Sequence, residues 1–171
     1  MCPGKEELTI EKQEHAKEQA RAQLDSILAM VKRVDHCRGC DGSDNCDLTD
    51  QDILEGIDLA YEEGDTANEE ERQEYHDEEA AREAIQEDPL EVSVRSDWHQ
   101  PGGDTELDEY RILLCTGGPA VQITGKLGKH GEPDDAKLQY QDWFTPWCNF
   151  PTTSEEDREL LDYARQFYFT M

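Results

Sequence analysis

The chain has 171 residues, with 42 acidic and 16 basic side chains and a net charge of −26. That length suits one domain able to bury a core, or one domain with a helical appendage. The charge argues against direct binding to nucleic acid or anionic membranes, which needs clustered Lys and Arg; no leader pattern or apolar run of spanning length is found, so a cytoplasmic protein is expected.

The charge is a block. Residues 44–91 hold 20 acidic and 2 basic side chains, net −18, whereas residues 1–43 are net −1 and residues 92–171 net −7.

In chain order, residues 5–34 are predicted as a long helix, because Ala16, Ala20, Leu24, Ile27, Val31 and Val34 recur at steps of three and four. A turn-rich loop, Asp41-Gly42-Ser43-Asp44-Asn45, leads to a second helix over 49–63, with Thr49 as its cap, one apolar face and Gly64 at its end. A third helix is predicted over 67–87, stopped by Asp88-Pro89. From residue 90 the pattern changes to alternating strands, LEVSVRSDW, EYRILLC, PAVQITGKL and AKLQYQDWF, parted by Gly-rich turns. These predict a four-stranded antiparallel sheet over about 90–145. A capped C-terminal helix over 153–169 follows, with Leu160, Leu161, Ala164, Phe167 and Tyr168 on one side. The expected class is α+β: a helical acidic region (1–89) and a sheet with its closing helix (90–171), packed as one unit.

HCRGCDGSDNC, residues 36–46, is the sharpest chemical candidate. Cys37, Cys40 and Cys46, with His36 as a fourth ligand, suit zinc, although adjacent His36 and Cys37 do not easily face one ion. A redox-active pair and ordinary loop thiols are the other readings; a thioredoxin-like pair is disfavoured because the CxxC follows a helix. Asp41, Ser43, Asp44, Asn45, Asp47 and Asp50 miss the rhythm of a calcium-binding EF-hand. Thr116-Gly117-Gly118-Pro119 lacks the Lys-Ser/Thr of a phosphate loop and reads as a β-turn. Asp97, Trp98 and His99 with Asp142 and Trp143 form no ordered catalytic motif, and Trp98, Trp143 and Trp147 read as sheet core or a partner-facing patch. No enzyme is expected.

The acidic block has three readings: a solvated helix, a disordered spacer, or a surface that imitates a nucleic-acid backbone. A straight helix over 67–88 would be about 33 Å long at roughly 1.5 Å per residue. Its ten carboxylates would then approach the one phosphate per roughly 3.4 Å of a DNA strand. Glu70, Glu74 and Glu78, and likewise Glu79, Glu83 and Glu87, would repel at one-turn spacing. Uniform sign at that cost favours the mimic, with Asp58, Glu62, Glu63, Glu69, Glu70, Glu71, Glu74, Asp77, Glu78, Glu79, Glu83 and Glu87 as partner-binding candidates.

The run from VSVRSDW through YRILLCTGGPAVQITGKL to LQYQDWFTPW, about residues 90–150, resembles a family of small uncharacterised proteins of phages and other mobile elements. The resemblance implies a setting, an encounter with host defences, and brings no established activity. The expected function is inhibition of a defence system, such as a CRISPR effector or restriction enzyme, by an acidic nucleic-acid mimic lodged in its basic groove. The alternative is a zinc-stabilised adaptor that binds a protein through its aromatic sheet surface.

Overall fold

The computed structural model describes residues 4–40, 46–57, 59–62, 64–96, 98 and 107–169, with side chains from residue 13 onward. Helix α1, Gly4–Gly39, is 36 residues long, about 54 Å at roughly 1.5 Å per residue. Its stripe holds it in place, since Ala16, Ala20, Leu24, Ile27, Val31 and Val34 are all buried. It outlasts the predicted end at residue 34, and so carries His36 within its last turn.

Helix α2, Asp50–Gly56, starts with a capping box between Thr49 and Asp52 and is much shorter than the predicted 49–63. Gly56 at its end leaves room for the Tyr75 ring, because a Cβ there would lie 2.2 Å from it. The predicted 67–87 helix is two helices, α3 over Glu69–Tyr75 and α4 over Glu78–Glu87. Asn68 and Glu71 close a capping box on α3. Asp77 then restarts the helix, its Oδ1 accepting from the amides of Glu79 at 2.9 Å and Ala80 at 3.2 Å. Glu78 therefore does not continue a row with Glu70 and Glu74, and no straight 33 Å rod of carboxylates exists.

Among the described residues five strands follow: β1 Glu91–Arg95, β2 Glu109–Cys115, β3 Ala120–Lys126, β4 Lys137–Gln141 and β5 Cys148–Asn149. They form an antiparallel meander in chain order. The alternation predicts four; β5 is only two residues long, too short to show a period, and is added when a turn at Asp142–Thr145 sends the chain back along β4. The fold is thus α+β with a five-stranded sheet. Helix α5, Ser154–Ala164, begins with a Thr153–Glu156 capping box. It stops short of residue 169 because Gln166 and Phe167 tighten the turn with bonds to the carbonyls of Tyr163 and Ala164.

One sheet face, with Tyr110, Ile112, Leu114, Val121, Ile123 and Leu138, shares the main core with α1, α4 and α5. A satellite core of Ile53, Leu54, Ala67 and Tyr75 sits between α2 and α3. The other sheet face is polar, with an amide ladder in which Gln122 donates to Gln139 and Gln139 to Asn149, each at 2.9 Å.

Candidate metal centre and acidic surface

His36 and Cys40 are four residues apart at the end of α1, one helical turn, so their side chains share a face. Cys37 cannot share it. Its thiol donates to the Tyr75 carbonyl at 3.1 Å, and burial pushes its pKa up. The place assigned to Cys37 by sequence goes instead to His76, at the break between α3 and α4. The ligand atoms of His36, Cys40, Cys46 and His76 all lie within 4.8 Å of one another. Cys46 Sγ is 3.4 Å from His36 Nε2 and 3.3 Å from His76 Nε2. Tetrahedral zinc with Zn–S of about 2.3 Å and Zn–N of about 2.05 Å would set sulfur and nitrogen roughly 3.5 Å apart.

The His76 imidazole is held in an orientation that would suit ligation. Its Nδ1 lies 2.6 Å from the Arg72 carbonyl. That contact fits an Nδ1–H donor and leaves the Nε2 lone pair turned to the cluster, as in protein metal sites where a second hydrogen bond orients the ring. The group of side chains could hold a metal ion. Two thiols and two imidazoles offer no oxygen ligand, so calcium and magnesium are poor fits.

Arg33 brackets the same corner. It is buried and donates to the carbonyls of Tyr75 (3.1 Å), Gly56 (3.1 Å) and Glu74 (2.7 Å). One cation thus meets the negative ends of both α2 and α3.

Around this corner the predicted partner-binding carboxylates divide by task. Asp58 and Glu63 lie outside the described residues. Asp77 and Glu71 are caps. Glu78 pairs with Arg82 at 2.7 Å and Arg38 at 3.3 Å, and the Arg82 hydrogen bond leads in holding its carboxyl below the usual range. Glu62, Glu69, Glu70, Glu74, Glu79, Glu83 and Glu87 are exposed and take part in no ion pair among the described residues.

The remaining candidates find plain roles. Asp41, Ser43, Asp44, Asn45, Asp97 and His99 lie outside the described residues. Asp50 pairs with Arg72. Gly117 and Gly118 have φ of 111° and 73°, as a glycine turn requires. Asp142 is buried and its Oδ1 accepts from the Trp143 amide at 2.5 Å, so it is a turn-forming group. Trp98 and Trp143 are exposed and Trp147 half-buried; none belongs to the core.

Comparison with protein-family models, curated proteins and solved structures finds no match for this chain. Among the described residues no helix is long and apolar enough to cross a membrane.

Proposed function

We propose that this chain is a non-catalytic binding protein whose acidic surface occupies the basic, nucleic-acid-binding groove of a host-defence protein. A zinc ion at His36, Cys40, Cys46 and His76 holds part of that surface in place. The observation that carries the reading is the division of charge at the acidic corner. Arg33, Arg38, Arg72 and Arg82 are all engaged, either with backbone carbonyls or with Asp35, Asp50 and Glu78. Among the described residues the carboxylates of Glu69, Glu70, Glu74, Glu79, Glu83 and Glu87 are left uncompensated on the outside, and such a field steers a cationic groove toward it. The surface is two short helices around a bend, so it imitates phosphates by sign and exposure, not by straight linear spacing. The donor set favours zinc, which takes two thiolates and two imidazoles in structural sites. The setting in this proposal, a CRISPR effector or restriction enzyme, follows only the resemblance suggested by the sequence of residues 90–150, to which no family model corresponds.

Charge reversal tests it. Glu79→Lys, Glu83→Lys and Glu87→Lys are exposed changes off the caps and ion pairs. Pull-downs from host lysate, with partners identified by mass spectrometry, should recover a nucleic-acid-binding complex with the wild-type chain at low salt and not with the triple variant. An unchanged pull-down by a folded triple variant refutes the reading.

A second reading, the zinc-stabilised adaptor, is favoured by one observation. Phe144 is fully exposed beside half-exposed Trp143, on a turn without charged residues from 143 to 154. Capture that persists at high salt and is lost in Trp143→Ala with Phe144→Ala would select it.

A further inference from the structure

We infer that metal occupancy decides whether residues 46–76 are folded, so that one half of the acidic surface is presented only by the metal-bound protein. The inference rests on the metal reading above and adds its consequence for recognition.

The placement of the four ligands carries it. His36 and Cys40 belong to α1, whose stripe is part of the main core. Cys46 and His76 stand at the two ends of one segment, and all four ligand atoms converge within 4.8 Å. An ion there clasps both ends of that segment to α1, as the base of a loop. Between the ends are 12 acidic residues and one basic residue, Arg72. Such a composition does not collapse by itself. Its own core is the satellite of Ile53, Leu54, Ala67 and Tyr75, separate from the main one. Units below about 40 residues usually need a metal, a disulfide or a partner to fold. Metal binding to such a segment is therefore coupled to its folding.

The main anchor besides the clasp is Arg33, and it is conditional. It binds carbonyls at the ends of α2 and α3, which converge on it only once those helices exist. Helix α4 is different: Ala81 and Ile85 lie in the main core. Glu79, Glu83 and Glu87 therefore stay displayed in either state, whereas Glu69, Glu70 and Glu74 depend on the metal. The protein would have a constant acidic face and a metal-gated one.

Hydrogen exchange on the purified full chain tests this, with zinc content measured in parallel. The expected result is one zinc per chain. On chelation, amides of α2 and α3 should exchange at least about 100-fold faster while those of β2, β3 and α5 keep their protection. Cys46→Ser and His76→Ala should reproduce that pattern with zinc present. Cys37→Ser, which changes a thiol outside the cluster, should keep the metal. Binding of a short poly-lysine peptide should weaken on chelation but persist in part through α4. If zinc binds and its removal leaves α2 and α3 protected, the gating is wrong while the metal reading stands. If the chain takes up no zinc, the metal reading fails and the gating with it.

Discussion

Arg33 donates its Nε proton to the Tyr75 carbonyl at 3.1 Å, and its guanidinium carbon lies 5.4 Å from the centre of the Tyr75 ring. The same side chain reaches Gly56 and Glu74. A single cation from α1 therefore gathers two helix ends that the sequence separates from it by more than twenty residues. Arg33→Met takes a donor from each of three carbonyls; that of Tyr75 keeps the Cys37 thiol and that of Glu74 the Asp77 amide, whereas the Gly56 carbonyl loses its charged partner. Hydrogen bonds to a charged group are each worth about 1.5–3 kcal/mol, and unpaired buried acceptors add a penalty. The variant is also relieved of the cost of burying a guanidinium, so a net loss of about 3 kcal/mol is expected in urea unfolding. Arg33→Lys should recover less than half, because an ammonium lacks the fork that reaches three acceptors.

Gly56 tests the same corner by shape. Its missing Cβ is what lets α2 end against the Tyr75 ring, with 2.2 Å to the nearest ring carbon if one were added. Gly56→Ala forces Tyr75 away from Arg33 and Cys37. About 1–3 kcal/mol should be lost, the usual range for overpacking. If the cluster holds zinc as proposed, its affinity should fall too, because Tyr75 precedes His76, and a competition titration with a chromogenic chelator would read it. Unaltered affinity would separate the Tyr75 packing from the metal cluster.

These two contacts show where sequence reading stops. The α1 stripe, the main alternating strands and the Thr153 cap follow from local periodicity and capping, and those forces are local in the structure as well. The break at His76-Asp77 has a signal, Asn68 with Glu71 followed by Asp77, but helix formers on both sides hide it. Three of the four clustered side chains are legible from HCRGCDGSDNC. The fourth is not, since His76 lies 30 residues beyond Cys46 and meets it only through tertiary packing. Cys37 is the converse case: its CxxC spacing suggests a ligand, and a helix that runs to Gly39 turns it one residue off the face shared by His36 and Cys40.

Tyr110 and Tyr163 contribute to the alkaline limit. Both rings are buried, with Tyr110 Oη donating to the Asp135 carbonyl at 2.7 Å and Tyr163 Oη to Asp88 Oδ2 at 2.6 Å. Burial chiefly, and then the nearby carboxylates, pushes both phenols well above their ordinary range. An unfolded phenol ionises near pH 10, roughly. Stability held by the two protonated phenols is thus fully present below about pH 10 and is lost as the pH rises toward their folded-state values. At about pH 11.5 each should cost roughly 2 kcal/mol, from about 1.4 kcal/mol per pKa unit. Melting temperatures between about pH 8 and pH 11.5 should fall, and Tyr110→Phe should make that fall shallower, the rest coming from Tyr163 and from the other groups that burial pushes up, Tyr75, Tyr140, Cys37 and Cys115. An equal slope in the variant would assign the alkaline loss to other groups.

Phe144 places an aromatic side chain where the backbone favours glycine, with φ of 65° and its ring fully exposed. The turn is fixed around it: the Thr145 amide donates to the Asp142 carbonyl at 3.1 Å, and Gln141 Nε2 to the Thr145 carbonyl at 2.5 Å. Trp143 is seated so closely that a Cβ on Gly118 would lie 1.6 Å from its indole nitrogen. A left-handed aromatic residue costs on the order of 1 kcal/mol, and here no burial of its own ring offsets that cost. Phe144→Asn, with a side chain that tolerates this conformation, should therefore raise stability by up to about 1 kcal/mol in urea unfolding. If the adaptor reading holds, the same variant should lose partner capture, so that a gain in stability accompanies a loss of binding. A stable variant that still captures the partner would remove Phe144 from the interface and leave the acidic face as the recognition surface.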